Sequence, residues 1–192
     1  LVLPFEADFM RPLALPRTIA DAPKLGFFPG STIGNMTPLM ATDLLRAMRA
    51  SLGEGAMLLI GMDRIKDPAI LVPAYDDAAG VTAAFNLNLL DRINRELAGD
   101  VPVEAFAHEA RWNDDAARIE MHLRATRDIG FSVDGRAFSM KAGETIHTEN
   151  SYKYDQASVE SLARASGLEY RTGWIDESTR FAVHLLAPKQ RA

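Results

Sequence analysis

The sequence predicts an α/β protein in which helices cover a parallel sheet and an antiparallel α+β segment interrupts the chain. Residues 1–66 alternate short apolar runs with helical patterns, which is typical of parallel strands that are buried on both faces. Residues 67–153 contain strands that alternate apolar and polar side chains, and residues 154–192 return to a helix and two strands. We therefore expect a core formed by residues 1–66 and 154–192, with residues 67–153 as an inserted domain.

In the first segment, each expected element has its own local signal. Leu1–Phe9 and Leu25–Phe28 are apolar runs that predict strands. A helix is expected to begin at Thr37, because Thr at the cap followed by Pro in the first turn is the usual start of a helix, and to end at Gly53. A third strand follows over Ala56–Ile60.

In the second and third segments, the same signals predict a further set of elements. Two helices are expected from Asp67 and over Val81–Leu97, and Asp134-Gly135 predicts a hairpin turn because both residues tolerate positive φ. The remaining expected elements are strands at Arg118–Arg127, Phe131–Val133 and Phe138–Met140, a helix at Ser158–Ala165, and strands at Leu168–Ile175 and Arg180–Leu186.

Composition excludes several classes of protein. The chain has 192 residues, a net charge of −5 and no cysteine, which excludes disulfides, a thiolate nucleophile and Cys-ligated zinc. The acidic balance argues against a nucleic-acid groove, which needs clustered positive charge. No apolar run approaches the roughly 20 residues of a membrane span, and no signal-peptide pattern opens the chain. We expect a cytoplasmic protein with no nucleic-acid or membrane partner.

The loop between the second strand and the following helix is the richest candidate site. Gly30 and Gly34 permit a tight backbone with positive φ, and Ser31, Thr32 and Asn35 supply neutral donors and acceptors. The helix that follows offers free N–H groups to an anion, so the loop suits a carboxylate or a polar head group. A plain strand-to-helix turn is the alternative interpretation. The loop is not a P-loop, because no Gly-Lys-Ser/Thr follows.

Two pairs of residues each allow a functional and a structural interpretation. Asp8 and Phe9 suit a purine, since a carboxylate accepts from an exocyclic amine and a ring stacks on the base; a capping role for Asp8 is the alternative. Glu149 and Ser151 stand at period two, so an extended segment would point both the same way, toward an imidazole or an amine. A surface edge strand explains the second pair equally.

The sequence does not favour a metal site. Asp76 and Asp77 follow Tyr75 but diverge on a helix, and no histidine stands near them. The histidines are scattered without ligand spacing and are expected to be surface groups or satisfied structural groups: His108, His122, His147 and His184. We therefore expect no bound metal.

Phe27–Asn35 resembles the signature loop of the histidine-specific S-adenosylmethionine-dependent methyltransferases, which make trimethylhistidine (hercynine) on the way to ergothioneine. The resemblance continues in order through Lys66–Pro68, Ala74–Asn86, Ile93–Leu97, Ile119–Met121 and Thr148–Ser151. These segments together are far more specific than a single glycine pattern. The resemblance implies the C-terminal part of a Rossmann-like class I methyltransferase sheet, with an inserted α+β substrate-binding domain.

The resemblance also implies which residues bind S-adenosylmethionine. Asp8 and Phe9 match the pair that contacts the adenine, and Gly30, Ser31 and Thr32 match the loop on the cofactor side. The cofactor carries the chemistry in such enzymes, and the protein supplies position and electrostatics. No residue of this sequence is required as a general base, so no catalytic residue is assigned.

The residues expected to bind L-histidine follow in the same way. Asn35 matches the asparagine that holds the amino-acid head of the substrate, and Tyr75 matches the tyrosine that binds its carboxylate. Met121 matches a residue that lines the side-chain pocket, while Glu149 and Ser151 match the pair that grips the imidazole. This pair favours histidine over the prenylated tryptophan used by fungal alkaloid enzymes, because an indole has no use for Glu149.

The family has an N-terminal part, with a Gly-rich cofactor loop, that has no counterpart in this sequence. In the usual sheet order 3-2-1-4-5-7-6, Leu1–Phe9 would be the third strand and would have no neighbour. We expect a C-terminal portion that binds the cofactor poorly alone, whose partner is the missing N-terminal part, and which is a monomer when intact. The alternatives are a methyltransferase for another amino acid or amine, and a catalytically incomplete fragment of such an enzyme.

Overall fold

The computed structural model describes residues 2–4, 6–16, 19 and 22–189. The contacts divide the chain into two compact units. The first unit comprises Leu1–Ile65 and Tyr152–Ala192, and the second comprises Lys66–Ser151. The assignment of a methyltransferase core and a substrate-binding domain to parts of this chain stays a prediction.

Thirteen helices and strands and two short 3-10 turns follow one another along the described chain. In order they are β1 (Leu25–Phe28), a 3-10 turn (Thr32–Asn35), α1 (Pro38–Leu52), β2 (Met57–Asp63), α2 (Pro68–Tyr75), α3 (Val81–Glu96), a 3-10 turn (Val103–Ala105), β3 (Phe106–Asn113), β4 (Arg118–Ala125), β5 (Ile129–Val133), β6 (Arg136–Met140), β7 (Thr145–Tyr152), α4 (Gln156–Ala165), β8 (Leu168–Ile175) and β9 (Phe181–Pro188). None of these helices combines the length and hydropathy that a membrane crossing requires.

The first unit contains a four-stranded sheet in the order β1-β2-β9-β8. The β1 and β2 strands are parallel, and β9 is antiparallel to both β2 and β8. This is the 4-5-7-6 part of the sheet order expected from the resemblance, including the antiparallel terminal hairpin. The α/β prediction is therefore confirmed for this unit.

The predicted strand at Leu1–Phe9 is wrong for the residues that the structure describes. Residues 2–4 and 6–9 form no strand, while Leu1 and Phe5 lie outside the described residues. A strand needs a neighbour to pair its backbone groups, and Pro4 has no N–H to offer one. The Phe9 ring instead packs on Phe28, with ring centroids 5.8 Å apart.

The core of the first unit forms between the sheet and two helices whose ends are set by local chemistry. At the start of α1, Thr37 Oγ1 accepts the Met40 N–H at 3.4 Å and Pro38 occupies the first turn. At the start of α4, Asp155 and Ser158 form a reciprocal capping box. The apolar faces of both helices join the inward side chains of the sheet in one buried cluster, which includes Ile33, Leu44, Leu45, Ile60, Met62, Val159 and Leu186.

In the second unit, two helices pack against a small sheet. The sheet has the order β3-β4-β7, β3 and β4 are antiparallel, and both α2 and α3 contact β3 and β4. A separate hairpin joins β5 and β6 through Asp134 and Gly135, whose φ values of 51° and 71° confirm the predicted turn. The alternating strands predicted in this region are confirmed. The sequence does not predict β3, and for β7 it indicates only an extended edge at Thr148–Ser151.

Candidate active site

The loop after β1 folds back onto the end of β2. Ser31 adopts the left-handed conformation with φ 57°, and its Oγ accepts the Asp63 N–H at 2.8 Å. A Cβ placed on Gly34 would lie 2.9 Å from the backbone oxygen of Tyr152, so only glycine fits this position without a shift. The loop is thereby fixed between the end of β2 and the last residue of β7.

An ion pair with a buried lysine and a hydrogen bond from a buried phenol stabilise the loop after β1 and the end of β2. The Nζ of Lys153 lies 2.8 Å from Asp63 Oδ2, and the Lys153 side chain is completely buried. The Tyr154 hydroxyl donates to the backbone oxygen of Ile33 at 3.4 Å. Burial raises the pKa of the Tyr154 phenol well above its ordinary value, so this hydroxyl remains a donor at any physiological pH.

The residues expected to bind the cofactor are accessible to a ligand. A Cβ on Gly30, where φ is 80°, would meet no described atom within 4 Å, so the backbone here is open to a ligand. Thr32 is exposed at the start of the 3-10 turn, and the Phe9 ring is 45% exposed. These features fit an adenine and a polar cofactor tail. Their contact with S-adenosylmethionine stays a prediction.

Asp8 also has the capping role that the sequence left open. Its Oδ1 accepts the Met10 N–H at 2.9 Å, and its Oδ2 lies 3.4 Å from Arg11 Nε. The carboxylate is exposed and, with about four lone-pair sites, can accept further hydrogen bonds. Capping and adenine binding are therefore compatible at Asp8.

In the second unit, two of the predicted substrate residues are in direct contact. Tyr75 is the last residue of α2, Ser151 lies near the end of β7, and their side-chain oxygens are 2.8 Å apart. The side chain of Asp67 caps the first turn of α2, and the Asp76 N–H donates to the Val72 oxygen at the other end of the helix, next to Tyr75. Ser151 is buried and Tyr75 is half-buried, so this hydroxyl pair is only partly accessible to water.

Glu149 and Asn150 place hydrogen-bond acceptors beside this pair in sequence. Burial raises the pKa of the half-buried Glu149 carboxyl, and no described residue forms a hydrogen bond or ion pair with that carboxylate. The Asn150 Oδ1 atom is buried and also has no partner among the residues described. Shielded acceptors without donors suit a ligand that carries N–H groups.

The two remaining substrate candidates lie in different units. Met121 is buried in β4, and its backbone oxygen accepts the Thr148 hydroxyl at 3.0 Å. Asn35 belongs to the first unit, where it is exposed at the end of the 3-10 turn. That Asn35 shares one cavity with Tyr75, Glu149 and Ser151 stays a prediction.

Comparison with known proteins shows where this arrangement belongs. Residues 1–188 match the family described as "Histidine-specific methyltransferase, SAM-dependent". The chain belongs to this family. The resemblance carried by the segments from Phe27–Asn35 to Thr148–Ser151 is therefore confirmed, and the family depends on S-adenosylmethionine.

Individual relatives of this methyltransferase-family chain agree. It is 42% identical over 164 residues to "Histidine N-alpha-methyltransferase" of Mycolicibacterium smegmatis, covering 84% of this chain and 51% of that protein. It is 30% identical over 161 residues to "Ergothioneine biosynthesis protein 1" of Neurospora crassa, covering 82% of this chain and 18% of that protein. The chain spans about half the length of the Mycolicibacterium relative.

The fold is shared with a solved methyltransferase of distant sequence. The structure of the CcbJ methyltransferase from Streptomyces caelestis aligns with a TM-score of 0.50 at 15% identity, covering 98% of this chain and 69% of that one. Such a likeness shows the fold alone. It agrees with the expected Rossmann-like class I sheet.

The structure corrects the expectation that the histidines of this family member are scattered. Glu120, His122 and His147 bring one possible ligand atom each within 4.8 Å of one another. They lie on β4 and β7, so no spacing in the sequence could show the cluster. His122 and His184 are also buried with Nδ1 atoms that have no partner among the described residues, whereas satisfied groups were expected.

Glu120 is already engaged by its neighbours on the sheet. Its Oε1 accepts from Arg118 Nη2 at 2.6 Å and from Asn113 at 2.9 Å, and its Oε2 lies 3.1 Å from His122 Nε2. Desolvation opposes ionisation of Glu120, but these hydrogen bonds outweigh it and lower its pKa to about 2. Glu120 is therefore held by an ion pair with Arg118 and by hydrogen bonds from Asn113 and His122, and the absence of a metal stays a prediction.

The Tyr75–Asp77 segment has a helix-capping role. Asp77 Oδ1 accepts the Thr82 N–H at 2.8 Å and its Oδ2 accepts the Val81 N–H at 3.1 Å. The hydrogen bonds from Thr82 and Val81 lower the pKa of Asp77 to about 2. This carboxylate starts α3 and, through that contact, fixes the turn that follows Tyr75.

Proposed function

We propose that the protein, in its full natural length, transfers methyl groups from S-adenosylmethionine to the α-amine of L-histidine. The product is trimethylhistidine (hercynine), and the reaction belongs to ergothioneine biosynthesis. Family membership supports the reaction class. The observation that carries the choice of substrate is the Tyr75–Ser151 hydroxyl pair, close in sequence to a carboxylate that lacks a donor.

Histidine supplies what these side chains need. An imidazole N–H is a donor for the half-buried Glu149 carboxylate, and the ring makes a second hydrogen bond with the Ser151 hydroxyl. When both ring nitrogens carry a hydrogen, Ser151 accepts the second ring N–H and donates its own hydrogen to the phenol oxygen, while Tyr75 donates to the substrate carboxylate, since either hydroxyl can act as the donor. A chain of this kind strengthens each of its hydrogen bonds.

The reaction places one requirement on the amine. S-adenosylmethionine, when bound, presents a methyl group on a sulfonium for in-line displacement, so the α-amine must be neutral when it attacks. A site that removes water from the ammonium lowers its pKa, and solvent takes the proton. Asn35 and Tyr75 would hold the amino-acid head in line, and space must remain around the nitrogen as methyl groups accumulate.

The experiment that tests this function is a mass measurement of the product. The full-length protein is incubated with labelled S-adenosylmethionine and L-histidine, and with dimethylhistidine, tryptophan and simple amines in parallel. A gain of up to three methyl groups on histidine supports the proposal. Methylation of another amino acid or amine alone would establish the alternative substrate, and no methylation of any of them would reject the proposal.

A further inference from the structure

We propose that His108 and Asn86 are positioning residues that fix Tyr75 for substrate binding. This inference rests on the proposed function, in which Tyr75 binds the substrate carboxylate. Neither residue carries a role in the interpretation of the sequence, which expects His108 to be a surface group or a satisfied structural group. All the residues involved lie in the second unit.

The three residues are joined by a continuous path of hydrogen bonds. The Nε2 atom of His108 lies 2.7 Å from the backbone oxygen of Tyr75, and its Nδ1 lies 2.9 Å from Asn86 Nδ2. Asn86 Nδ2 also lies 3.2 Å from the backbone oxygen of His122. The path therefore runs from β4 through α3 and β3 to the last residue of α2.

The chemistry of the acceptors assigns the hydrogens along this path. A backbone oxygen only accepts, so His108 must carry its hydrogen on Nε2 and donate it to Tyr75. The two hydrogens of the Asn86 amide nitrogen serve the two remaining acceptors, His108 Nδ1 and the His122 oxygen. Turning the Asn86 amide would place two oxygens against each other. The path thus fixes the orientation of the His108 ring, with a hydrogen on Nε2 directed at Tyr75.

Tyr75 needs such support because of its place in the helix. Helix α2 has eight residues and contains Pro73, so it makes few internal hydrogen bonds, and the carbonyls of its last turn have no partner within the helix. The bond from His108 satisfies the carbonyl of Tyr75 itself. It therefore fixes the backbone from which the phenol reaches Ser151.

An asparagine at position 86 is less favourable for stability than an apolar side chain would be. Its side chain is completely buried, and its Oδ1 has no partner among the described residues. A buried acceptor without a donor costs free energy that an apolar side chain would not cost. An amide at this position is explained if it orients His108.

A double-mutant cycle in the full-length protein tests the proposal. His108→Leu removes both hydrogen bonds, His108→Gln keeps a donor near the Nε2 position, and Tyr75→Phe removes only the phenol oxygen. We expect His108→Leu to raise KM for histidine about tenfold, with kcat changed less than about twofold, and His108→Gln to restore most of the loss. In the Tyr75→Phe background, His108→Leu should have almost no further effect on KM, because the group that it positions is absent.

The outcomes separate the two levels of the proposal. If Tyr75→Phe leaves KM for histidine unchanged, the proposed substrate site is rejected. If Tyr75→Phe raises KM but His108→Leu does not, only the positioning role is rejected. Equal losses from His108→Leu with and without the phenol, or a failure of His108→Gln to restore KM, would show a general packing defect and would also overturn the positioning role. Thermal unfolding of each variant confirms that the folded protein is assayed.

Discussion

The phenol oxygen of Tyr75 and the hydroxyl oxygen of Ser151 lie 2.8 Å apart although the two residues are 76 positions apart in the chain. One hydroxyl comes from the end of a helix and the other from the end of a strand, so the fold of the second unit is what brings them together. In the proposed site, they address opposite ends of one small substrate. Removal of either hydroxyl should therefore change how the other one binds the substrate.

The first prediction follows from that contact. Tyr75→Phe and Ser151→Ala should each raise KM for histidine, by roughly tenfold per lost hydrogen bond to a polar or charged ligand group. Because the two hydroxyls are bonded to each other, the double variant should lose less than the sum, with a coupling energy of about 1 kcal/mol. Steady-state kinetics of the four proteins measure this, and strict additivity would contradict a shared site.

Local chemistry explains which parts of the fold the sequence predicts. Thr37 and Pro38 start α1, and Asp134 and Gly135 turn the β5–β6 hairpin, because each signal acts within a few residues. Strand β3 was missed because its apolar alternation is interrupted by charge. Its Glu109 is neutralised partly by Arg124 on β4, at 3.1 Å, and such a partner is visible only after the strands pair.

The same limit applies to the candidate site. The sequence and the resemblance together supply Tyr75, Glu149 and Ser151, because these residues stand in the matching segments. They do not supply His108, whose contacts reach back 33 residues to Tyr75 and 22 residues to Asn86. The proposed role of His108 comes from its position in the fold, and a local sequence pattern does not indicate it.

The second prediction concerns the effect of the ionised Glu149 carboxylate on the stability of the unliganded protein. Burial raises its pKa in the folded protein, so ionised Glu149 destabilises the unliganded fold, and its contribution to stability falls as pH rises through the raised pKa. Glu149→Gln should therefore be more stable than the parent at pH 7, by less than about 1 kcal/mol because solvent still reaches the group. The gain should disappear near pH 4. Urea unfolding at both pH values measures it, and a loss of stability at pH 7 would contradict the assignment.

The third prediction gives Glu149 its binding role. Glu149→Ala should weaken histidine binding far more than it slows methyl transfer at saturating histidine, because the carboxylate contacts the imidazole and not the reacting amine. The affinity of the parent should fall as pH drops through the raised pKa of Glu149, since a protonated carboxyl loses the charge-assisted hydrogen bond. Glu149→Gln should lack this acid limb. An unchanged KM with a collapsed kcat would exclude the role.

The fourth prediction concerns the ion pair beneath the Ser31 loop. Lys153→Met leaves Asp63 without its buried cation, and the free energy of unfolding should fall by about 3 kcal/mol. Lys141→Met provides the matched control, because Lys141 and Asp128 form a pair at 2.9 Å whose side chains are 78% and 62% exposed. Loss of that surface pair should cost less than about 1 kcal/mol. Equal effects in urea unfolding would mean that Lys153 does not stabilise the loop through Asp63.

The last prediction concerns the close packing of Gly34, in the Ser31 loop, against the backbone oxygen of Tyr152. In Gly34→Ala, the new Cβ would lie 2.9 Å from the Tyr152 backbone oxygen, which cannot move aside as a flexible side chain would. The loop must shift, so the free energy of unfolding should fall by about 1–3 kcal/mol, and Ser31 should lose its bond to the Asp63 N–H. In the control Gly130→Ala, the nearest atom is 3.8 Å away and the backbone is extended, so stability should change by less than about 1 kcal/mol. If Gly34→Ala were as stable as Gly130→Ala, the loop would not be fixed against Tyr152, and the tight packing assigned to it would be wrong.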